Sequence, residues 1–386
     1  MSSAGDVNGD GFDDLIVGAP GDDEGGGQFA GAAYVVFGKA GGFTDVDLAT
    51  LAPADGFKIV GEAAFDYVGD SVSSAGDVDG DGFGDLIVGA RNNDEGGSNA
   101  GAAYVVFGKA SGFADIDLVS LGADGFKLVG EAENDNAGRS VSSAGDVNGD
   151  GFDDFVVGAP FNDGGVGDEG AAYVVFGKAS GFADIDLASL GAGGFKIVGE
   201  DAADRVGFSV SSAGDTNGDG FADLIVGATL DDDGGTNAGA AYVVFGKAGG
   251  ISDIDVGALT PADGFKVFGD GHISLTGYSV SSAGDTNGDG YDDLLVGKPR
   301  DDEAATDAGT AYMVFGGNLT GAVTHEGGDS DDVIDVTAVR NIDSFAELQA
   351  KFSDNGTDTT IQLDAENSIV VLGVTVADLH QDDFLL

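Results

Sequence analysis

The chain has 386 residues, of which 71 are glycine and none is cysteine, and its formal net charge is −54. A chain this acidic repels nucleic acid and anionic membrane surfaces, which excludes nucleic-acid binding. Without cysteine, an exported fold would need a stabilising element other than disulfides. No stretch approaches the ~18 apolar residues of a membrane span, and residues 1–6 lack the basic and apolar segments of a secretory signal peptide.

The predicted elements recur with a period of about 70 residues. Each unit contains four short apolar runs bounded by glycine and aspartate, as at 71–76, 85–90, 103–108 and 126–130. Runs of five or six residues rich in β-branched and aromatic side chains predict strands. Four antiparallel strands in each repeated unit predict the blades of a β-propeller.

The fourth run of the unit occurs only four times. It begins at Phe57, Phe126, Phe195 and Phe265, whereas the first three runs occur five times. The fifth blade therefore needs a fourth strand from residues 319–325 or from a partner chain; otherwise the blades form an open arc, or the sequence is a fragment of a longer protein. Self-assembly through this unpaired blade strand is a further expectation.

A nine-residue acidic loop lies between the first and second predicted strands of every unit. The five copies begin at Asp6, Asp77, Asp146, Asp215 and Asp285, with spacings of 71, 69, 69 and 70 residues. Oxygen ligands at positions 1, 3, 5 and 9, with glycines at positions 4 and 6 for a tight turn, suit Ca²⁺, and position 7 would add its backbone carbonyl. Position 12 is valine inside a predicted strand, which argues against an EF-hand, since that motif needs a glutamate there.

We therefore predict about five bound Ca²⁺ ions. The predicted ligands, in loop order, are Asp6, Asn8, Asp10, Phe12 and Asp14; Asp77, Asp79, Asp81, Phe83 and Asp85; Asp146, Asn148, Asp150, Phe152 and Asp154; Asp215, Asn217, Asp219, Phe221 and Asp223; and Asp285, Asn287, Asp289, Tyr291 and Asp293.

These units resemble the FG-GAP repeats of integrin α-subunit propellers. The resemblance rests on the D-x-[DN]-x-D-G-x-x-D loop and on the Gly-Ala-Pro ending found at 18–20 and 158–160. It implies an all-β fold, with a calcium-binding β-propeller of five four-stranded blades over residues 1–317. The repeats are about 1–70, 71–139, 140–208, 209–278 and 279–317. Integrin propellers have seven such units, and this chain has no visible inserted ligand domain.

Residues 318–386 depart from the repeat and predict a small, mostly β module. Residues 327–335 fit a calcium-binding nonapeptide with Ser330 in place of glycine, residues 344–347 form a capping box that opens a helix to about residue 352, and strands are expected at 360–363 and 368–373. The segment is similar to the C-terminal modules of RTX-type bacterial proteins, which implies type I secretion to the extracellular space. A module that caps the last blade is the other interpretation, and the two are compatible.

The sequence indicates a protein that is not an enzyme. It contains three histidines and no Gly-x-Ser-x-Gly elbow, and its paired carboxylates belong to the repeat, whereas an active site needs one unique geometry. Basic residues that break the repeat are predicted to share the face opposite the acidic loops. This candidate ligand face comprises Arg91, Arg139, Arg205, His272 and Arg300. The alternative is that the arginines neutralise nearby acidic loops.

The favoured function is a secreted, calcium-stiffened scaffold for cell adhesion or protein interaction, with an unknown extracellular protein or glycan as its ligand. Two alternatives stay open. The propeller could carry an extracellular enzyme or serve as its accessory module, because a fold alone does not fix activity. It could instead be a structural surface or matrix protein with no dedicated ligand.

Overall fold

A computed structural model of the chain describes residues 1–41, 45–164, 167–269, 273–300 and 309–317, together with five short strands between residues 334 and 385. The chain divides into two compact units, Met1–Asn318 and Leu319–Leu386. In the described residues the first unit consists of strands and short 3-10 helices, and none of its helices is long and apolar enough to cross a membrane.

The strands of the first unit follow one another in chain order within each repeat. They are β1 (Ser2–Gly5), β2 (Asp14–Ala19), β3 (Ala32–Val36) and β4 (Gly56–Val60); β5 (Val72–Gly76), β6 (Asp85–Ala90), β7 (Ala102–Val106), β8 (Ile116–Asp117) and β9 (Gly125–Val129); β10 (Ser140–Gly145), β11 (Asp154–Ala159), β12 (Ala171–Val175), β13 (Ile185–Asp186) and β14 (Gly194–Val198); β15 (Val206–Gly214), β16 (Asp223–Ala228), β17 (Ala240–Val244), β18 (Ile254–Asp255) and β19 (Gly264–Phe268); and β20 (Ser279–Gly284), β21 (Asp293–Lys298) and β22 (Thr310–Val314). The 3-10 helices are Leu48–Thr50, Leu118–Ser120, Gly122–Asp124, Leu187–Ser189, Gly191–Gly193 and Val256–Ala258.

Each repeat forms one antiparallel sheet, which we call blades 1 to 5. In blade 2, for example, Val88 of β6 pairs with Tyr104 of β7, and Tyr104 pairs with Lys127 of β9. Blades 1 to 4 have four antiparallel strands each, and the described part of blade 5 has three, β20, β21 and β22. This confirms the predicted all-β propeller fold of five blades. The segment 319–325, suggested as the missing fourth strand, lies outside the described residues.

A two-residue strand ties each of blades 1 to 3 to the following repeat, and the sequence analysis did not predict it. Strand β8 pairs in parallel with β4, β13 with β9, and β18 with β14. The aspartate just before each short strand also accepts a hydrogen bond; Asp115 Oδ1 accepts the Lys58 N–H at 3.0 Å. These sheets therefore have five strands, and the fifth comes from the next repeat.

The core lies between the blades. The central strands β6, β11 and β16 are buried on both faces, because a blade covers each side. The first and last blades each leave one face uncovered. Leu15 is 43% exposed, whereas its equivalent Leu86 is 1% exposed, and Leu295 is 38% exposed, whereas its equivalent Ile87 is fully buried. Within the described residues, blades 1 and 5 therefore do not close a ring.

The second unit contains β23 (Ile334–Asp335), β24 (Phe352–Asp354), β25 (Thr359–Gln362), β26 (Ser368–Val371) and β27 (Phe384–Leu385). Strands β24, β25 and β26 form an antiparallel sheet, and β23 pairs in parallel with β27. Strands β25 and β26 occupy the two positions at which strands were expected. The predicted helix at 344–352 lies outside the described residues except for Phe352, which begins β24 instead. The resemblance to RTX-type modules stays a prediction.

Candidate metal centre

The five acidic loops are the hairpins that join the first and second strands of each blade. Position 1 follows the last residue of the first strand, where a β-bulge shifts the register, and position 9 is the first residue of the second strand. In the second loop, for example, Asp77 follows Gly76 and Asp85 begins β6. The hairpin therefore brings the two ends of the motif back to one place.

The carboxylates at positions 1, 3 and 5 fold the loop around themselves. Asp77 accepts the Asp81 N–H at 3.0 Å and the Gly82 N–H at 2.9 Å, and Asp79 accepts the Asp81 N–H at 3.1 Å. Gly80 and Gly82 have φ of +72° and +91°, a backbone conformation that favours glycine. The other four loops repeat these bonds, with asparagine at position 3; Asn8 Oδ1 accepts the Asp10 N–H at 2.8 Å.

The aspartate at position 9 is buried in every loop, at 0–1% exposure. Asp85 accepts the Val78 N–H at 2.9 Å and the Gly108 N–H at 2.8 Å, one on each oxygen. Burial raises the pKa of Asp85 to about 7, against the opposing effect of these hydrogen bonds, and the neighbouring loop carboxylates raise it further. The pKa of Asp154 is raised in the same way to about 7. The members of this set are Asp14, Asp85, Asp154, Asp223 and Asp293.

In the second loop, carboxylate oxygens of Asp77, Asp79 and Asp85 all lie within 4.8 Å of one another. Three hard oxygen donors at this separation, one of them a buried carboxylate whose charged form is disfavoured by burial, fit a cation of the Ca²⁺ class. The position 5 residue Asp81 is not in this group; its Oδ1 accepts the Phe83 N–H at 3.0 Å. The loop thus brings positions 1, 3 and 9 together.

The aromatic residue at position 7 links one loop to the loop before it. A β carbon placed on Gly9 would lie 2.4 Å from the ring of Phe83, so the ring sits directly on that glycine. Phe152, Phe221 and Tyr291 lie in the same way against glycine at position 4 of the preceding loop. Phe12 belongs to the first loop and is 42% exposed.

A second acidic cluster, formed by Glu200, Asp231 and Asp233, also brings carboxylate oxygens within 4.8 Å. The ammonium of Lys266 occupies its centre, 3.2 Å from Glu200 and 2.7 Å from Asp231. These carboxylates hold the pKa of Lys266 above its ordinary range, although burial acts against them. We do not count this cluster as a metal site, because its charge is compensated by a lysine.

The same lysine network recurs in the other blades and was not predicted. Lys127 binds Glu62 and Glu95, and Tyr104 donates to Glu62 at 2.7 Å. In the sequence, this network is indicated by a lysine in the fourth strand and a tyrosine in the third strand that recur at regular spacing. Because these residues belong to consecutive repeats, the network joins neighbouring blades.

Two residues of the candidate ligand face converge on one carboxylate. Arg91 Nε lies 2.8 Å from Asp70 Oδ2, and Arg139 Nη1 lies 3.0 Å from the same oxygen. Their guanidinium groups also stack on aromatic rings, Arg91 on Tyr67 at 5.2 Å and Arg139 on Phe208 at 5.0 Å. About a third of each arginine side chain stays exposed.

The structure does not bring the other basic residues into this group. Arg205 stacks on Phe161 at 4.8 Å. Arg300 is exposed, and its backbone N–H donates to the Ser274 carbonyl at 3.3 Å. His272 lies outside the described residues.

Five sheets of this topology, each with an acidic hairpin between its first two strands, define a β-propeller of repeated blades. The family model of the FG-GAP repeat matches residues 2–36, 68–106, 137–175, 206–244 and 276–313. Each match covers the first three strands of a blade and their acidic hairpin. The chain therefore carries five FG-GAP repeats.

The chain is similar to parts of larger curated proteins. It is 31% identical to integrin alpha pat-2 of Caenorhabditis elegans over 248 residues, 60% of this chain and 18% of the relative. It is 29% identical to integrin alpha-V of Gallus gallus over 242 residues, 61% of this chain and 20% of the relative. It is 31% identical to a phosphatidylinositol-glycan-specific phospholipase D of Dictyostelium discoideum over 269 residues, 64% of this chain and 26% of the relative. The chain thus spans about a quarter or less of these relatives.

Proposed function

We propose that this protein is a calcium-stabilised, secreted propeller that serves as a scaffold for adhesion or protein interaction. The observation that carries the proposal is the convergence of Asp77, Asp79 and Asp85 in a hairpin that the chain repeats five times. The similarity to integrin α chains supports a role in adhesion.

Calcium would act on folding. Each empty loop holds several carboxylates at close range, including one that is buried, and their mutual repulsion opposes compaction. At a free concentration ten times the Kd, one bound ion adds about 1.4 kcal/mol to the free energy of unfolding, and five add about 7 kcal/mol. This rivals the total stability of an ordinary domain, about 5–15 kcal/mol. The chain would stay loose at low calcium and fold after export.

The test is a calcium titration of the chelated protein, followed by circular dichroism and a count of bound ions. We expect a cooperative gain of β structure with about five ions bound. Full β structure and an unchanged melting temperature in chelator would contradict calcium-driven folding. Binding of fewer ions, with folding still dependent on them, would restrict the site to particular loops.

A scaffold is favoured over an enzyme because the acidic groups recur with the same geometry from blade to blade, whereas a catalytic site needs one unique arrangement. One of the relatives is named a phospholipase D, which gives a direct assay. We expect no turnover of a phosphatidylinositol-glycan substrate by this protein with calcium present. Turnover would contradict the proposal.

For the ligand, we propose an extracellular protein or glycan of acidic character that meets the exposed parts of Arg91, Arg139, Arg205 and Arg300. The exposed third of the Arg91 and Arg139 side chains and the exposed Arg300 carry positive charge on a chain that is otherwise strongly acidic, so they would attract an anionic ligand. A variant with these four arginines changed to alanine should lose binding to anionic glycans on an array while its circular dichroism is unchanged. Retained binding would contradict a role of these arginines in ligand recognition.

For export, we propose that residues 318–386 carry a type I secretion signal, on the basis of their resemblance to RTX-type modules. The test is to express the chain with and without these residues in bacteria that contain a type I system. We expect the full chain in the medium and the shortened chain in the cytosol. Equal export of both would contradict this part of the proposal.

A further inference from the structure

Consecutive blades meet through the same contacts at all four junctions of the described structure. The aromatic ring at position 7 of a loop lies on the position 4 glycine of the loop before it. The N–H at position 8 donates to the position 1 carbonyl of that earlier loop, at 2.9 to 3.2 Å. These donors and acceptors are Gly84 to Asp6, Asp153 to Asp77, Ala222 to Asp146 and Asp292 to Asp215.

An aspartate at position 8 adds a further bond across the junction. Asp153 accepts the N–H of Asp77 at 2.8 Å, and Asp292 accepts the N–H of Asp215 at 2.8 Å. Blade 1 also carries aspartate at this position, as Asp13. The junction contacts are therefore encoded in blade 1 as they are in blades 3 and 5.

The two outer blades hold the two separate halves of this junction. Phe12 of blade 1 is 42% exposed, and a β carbon placed on Gly288 of blade 5 would have no atom within 4 Å. In the four internal junctions the equivalent ring and glycine are in contact. Phe12 thus corresponds to the ring, and Gly288 to the glycine on which such a ring lies.

The apolar surfaces beside these residues match in the same way. Leu15 on blade 1 is exposed, and so are Leu295, Met313 and Phe315 on blade 5. The equivalents of Leu295 and Met313 in blades 1 to 4 are fully buried against the following blade. Each outer face therefore has the composition of a blade–blade interface.

We propose that these two faces bind each other between copies of the chain, so that blade 1 of one copy docks on blade 5 of the next. Phe12 would lie on Gly288 of the other copy, and Asp13 would accept the N–H of Asp285. A second copy is the occupant because the internal junctions already show that a face like that of blade 1 fits a face like that of blade 5. This contact is heterologous, so it propagates into a larger ring or a filament. It differs from pairing at the edge of β22, and it is tested with calcium present, because Phe12 and Gly288 lie in the acidic loops.

The test is sedimentation velocity of the full chain and of variants at concentrations of about 1 to 100 μM, a range that covers moderate affinities. For the unchanged chain we expect a mass that rises with concentration from 38.2 kDa. Leu15→Asp and Leu295→Asp should each be monomeric alone, because each loses one half of the contact. Mixed together, they should form a 1:1 dimer that grows no further, since each retains the half that the other lacks. Val119→Asp is the matched control, because Val119 is exposed on another surface and should not affect association.

Three results would overturn the proposal. An unchanged chain that is monomeric throughout would mean that the outer faces are covered within one chain or bind nothing. Single variants that still assemble would place the contact elsewhere, and a mixture that stays monomeric would exclude the head-to-tail arrangement. Circular dichroism checks that the variants fold. If Leu15→Asp or Leu295→Asp does not fold, a mixture of Phe12→Cys and Gly288→Cys gives a second test. The unchanged chain has no cysteine, so the proposal expects a disulfide-linked dimer of these two variants.

Discussion

The ring of Phe221 lies on Gly149 of the preceding loop, so close that a β carbon on the glycine would be 2.4 Å from Cε1 of the ring. Gly149 also has φ of +74°. Two physical demands therefore meet at this position, a left-handed backbone and the close approach of an aromatic ring from the next blade. The acidic loop is in this way a part of the blade–blade junction as well as a candidate metal site.

The chain offers a comparison that separates these two demands. Gly149→Ala should destabilise the protein more than Gly151→Ala, because both glycines have positive φ but only Gly149 has a ring against it. The difference should be about 1–3 kcal/mol, the usual cost of overpacking. Urea denaturation of both variants with calcium present measures it. Equal losses would mean that the ring moves aside at little cost.

The buried aspartate at position 9 should matter more than the exposed acidic residues. In Asp85→Asn, the amide group would face one of the two backbone N–H donors, Val78 or Gly108, in place of an acceptor oxygen. We expect a loss of about 1–3 kcal/mol of unfolding free energy, together with one fewer bound calcium ion. Asp45→Asn is the control, because it makes the same change of charge at an exposed position. An Asp85→Asn protein that keeps both the stability and the ion count would show that this carboxylate is not a ligand.

Blade 4 should be sensitive to pH because two carboxylates face each other there. Burial, and after it the charge of Asp231, raises the pKa of Asp204 from 3.8 to about 7. The folded form thus binds a proton more readily than the unfolded form between these values, and the free energy of unfolding falls as the pH rises from about 4 to 7. At the equivalent junction before it, Asn162 donates to Asp135 at 2.7 Å, and the pKa of Asp135 is raised only to about 6.

Asp231→Asn should give blade 4 the same amide donor. If this donor lowers the pKa of Asp204 by one unit, the free energy of unfolding should rise by about 1.4 kcal/mol above pH 7 and by almost nothing at pH 4. Lys266 would lose one carboxylate but keep Glu200 and Asp233. Thermal melting of the two proteins at pH 4 and pH 8 is the measurement. A variant that is less stable at both values would show that the Lys266 ion pair outweighs the repulsion.

The short fifth strand should contribute to the connection between blades. Asp115→Ala removes the oxygen that accepts the Lys58 N–H and weakens the pairing of β8 with β4. We expect the free energy of unfolding, measured by urea denaturation, to fall by about 0.5–1.5 kcal/mol, the usual net value of one hydrogen bond. Asp45→Ala changes the equivalent residue of repeat 1, which is exposed, and should cost little. Similar losses in the two variants would assign the effect to the loop rather than to the connection.

Several features of the fold followed from the sequence because they are local. The period of about 70 residues, the apolar runs of β2 and β3 and the hairpin position of Asp77 through Asp85 depend on neighbours in the chain. Repetition made them visible, since a chance acidic cluster does not recur five times at fixed spacing. The convergence of positions 1 and 9 follows from the same hairpin.

Contacts between repeats could not be predicted in this way. Strand β8 belongs by sequence to repeat 2 but completes the sheet of repeat 1, because its two residues pair with β4 rather than with their own neighbours. The ligand face that includes Arg91 and Arg139 stays a prediction, but their pairing with Asp70 and their stacking on aromatic rings from other blades were not predicted. Side chains as long as arginine reach across a junction, so their partners depend on how the blades stack.

The sequence by itself determined the class of blade, the number of repeats and the position of each acidic loop, because hydrogen-bonded hairpins and turn glycines are set by residues close together in the chain. Only the tertiary structure decided which blade faces remain uncovered and why glycine stands at position 4 as well as at position 6. Those properties arise where one repeat packs on another. Leu86 is buried and its equivalent Leu15 is exposed because a blade packs on the first and not on the second, although the residue type is the same.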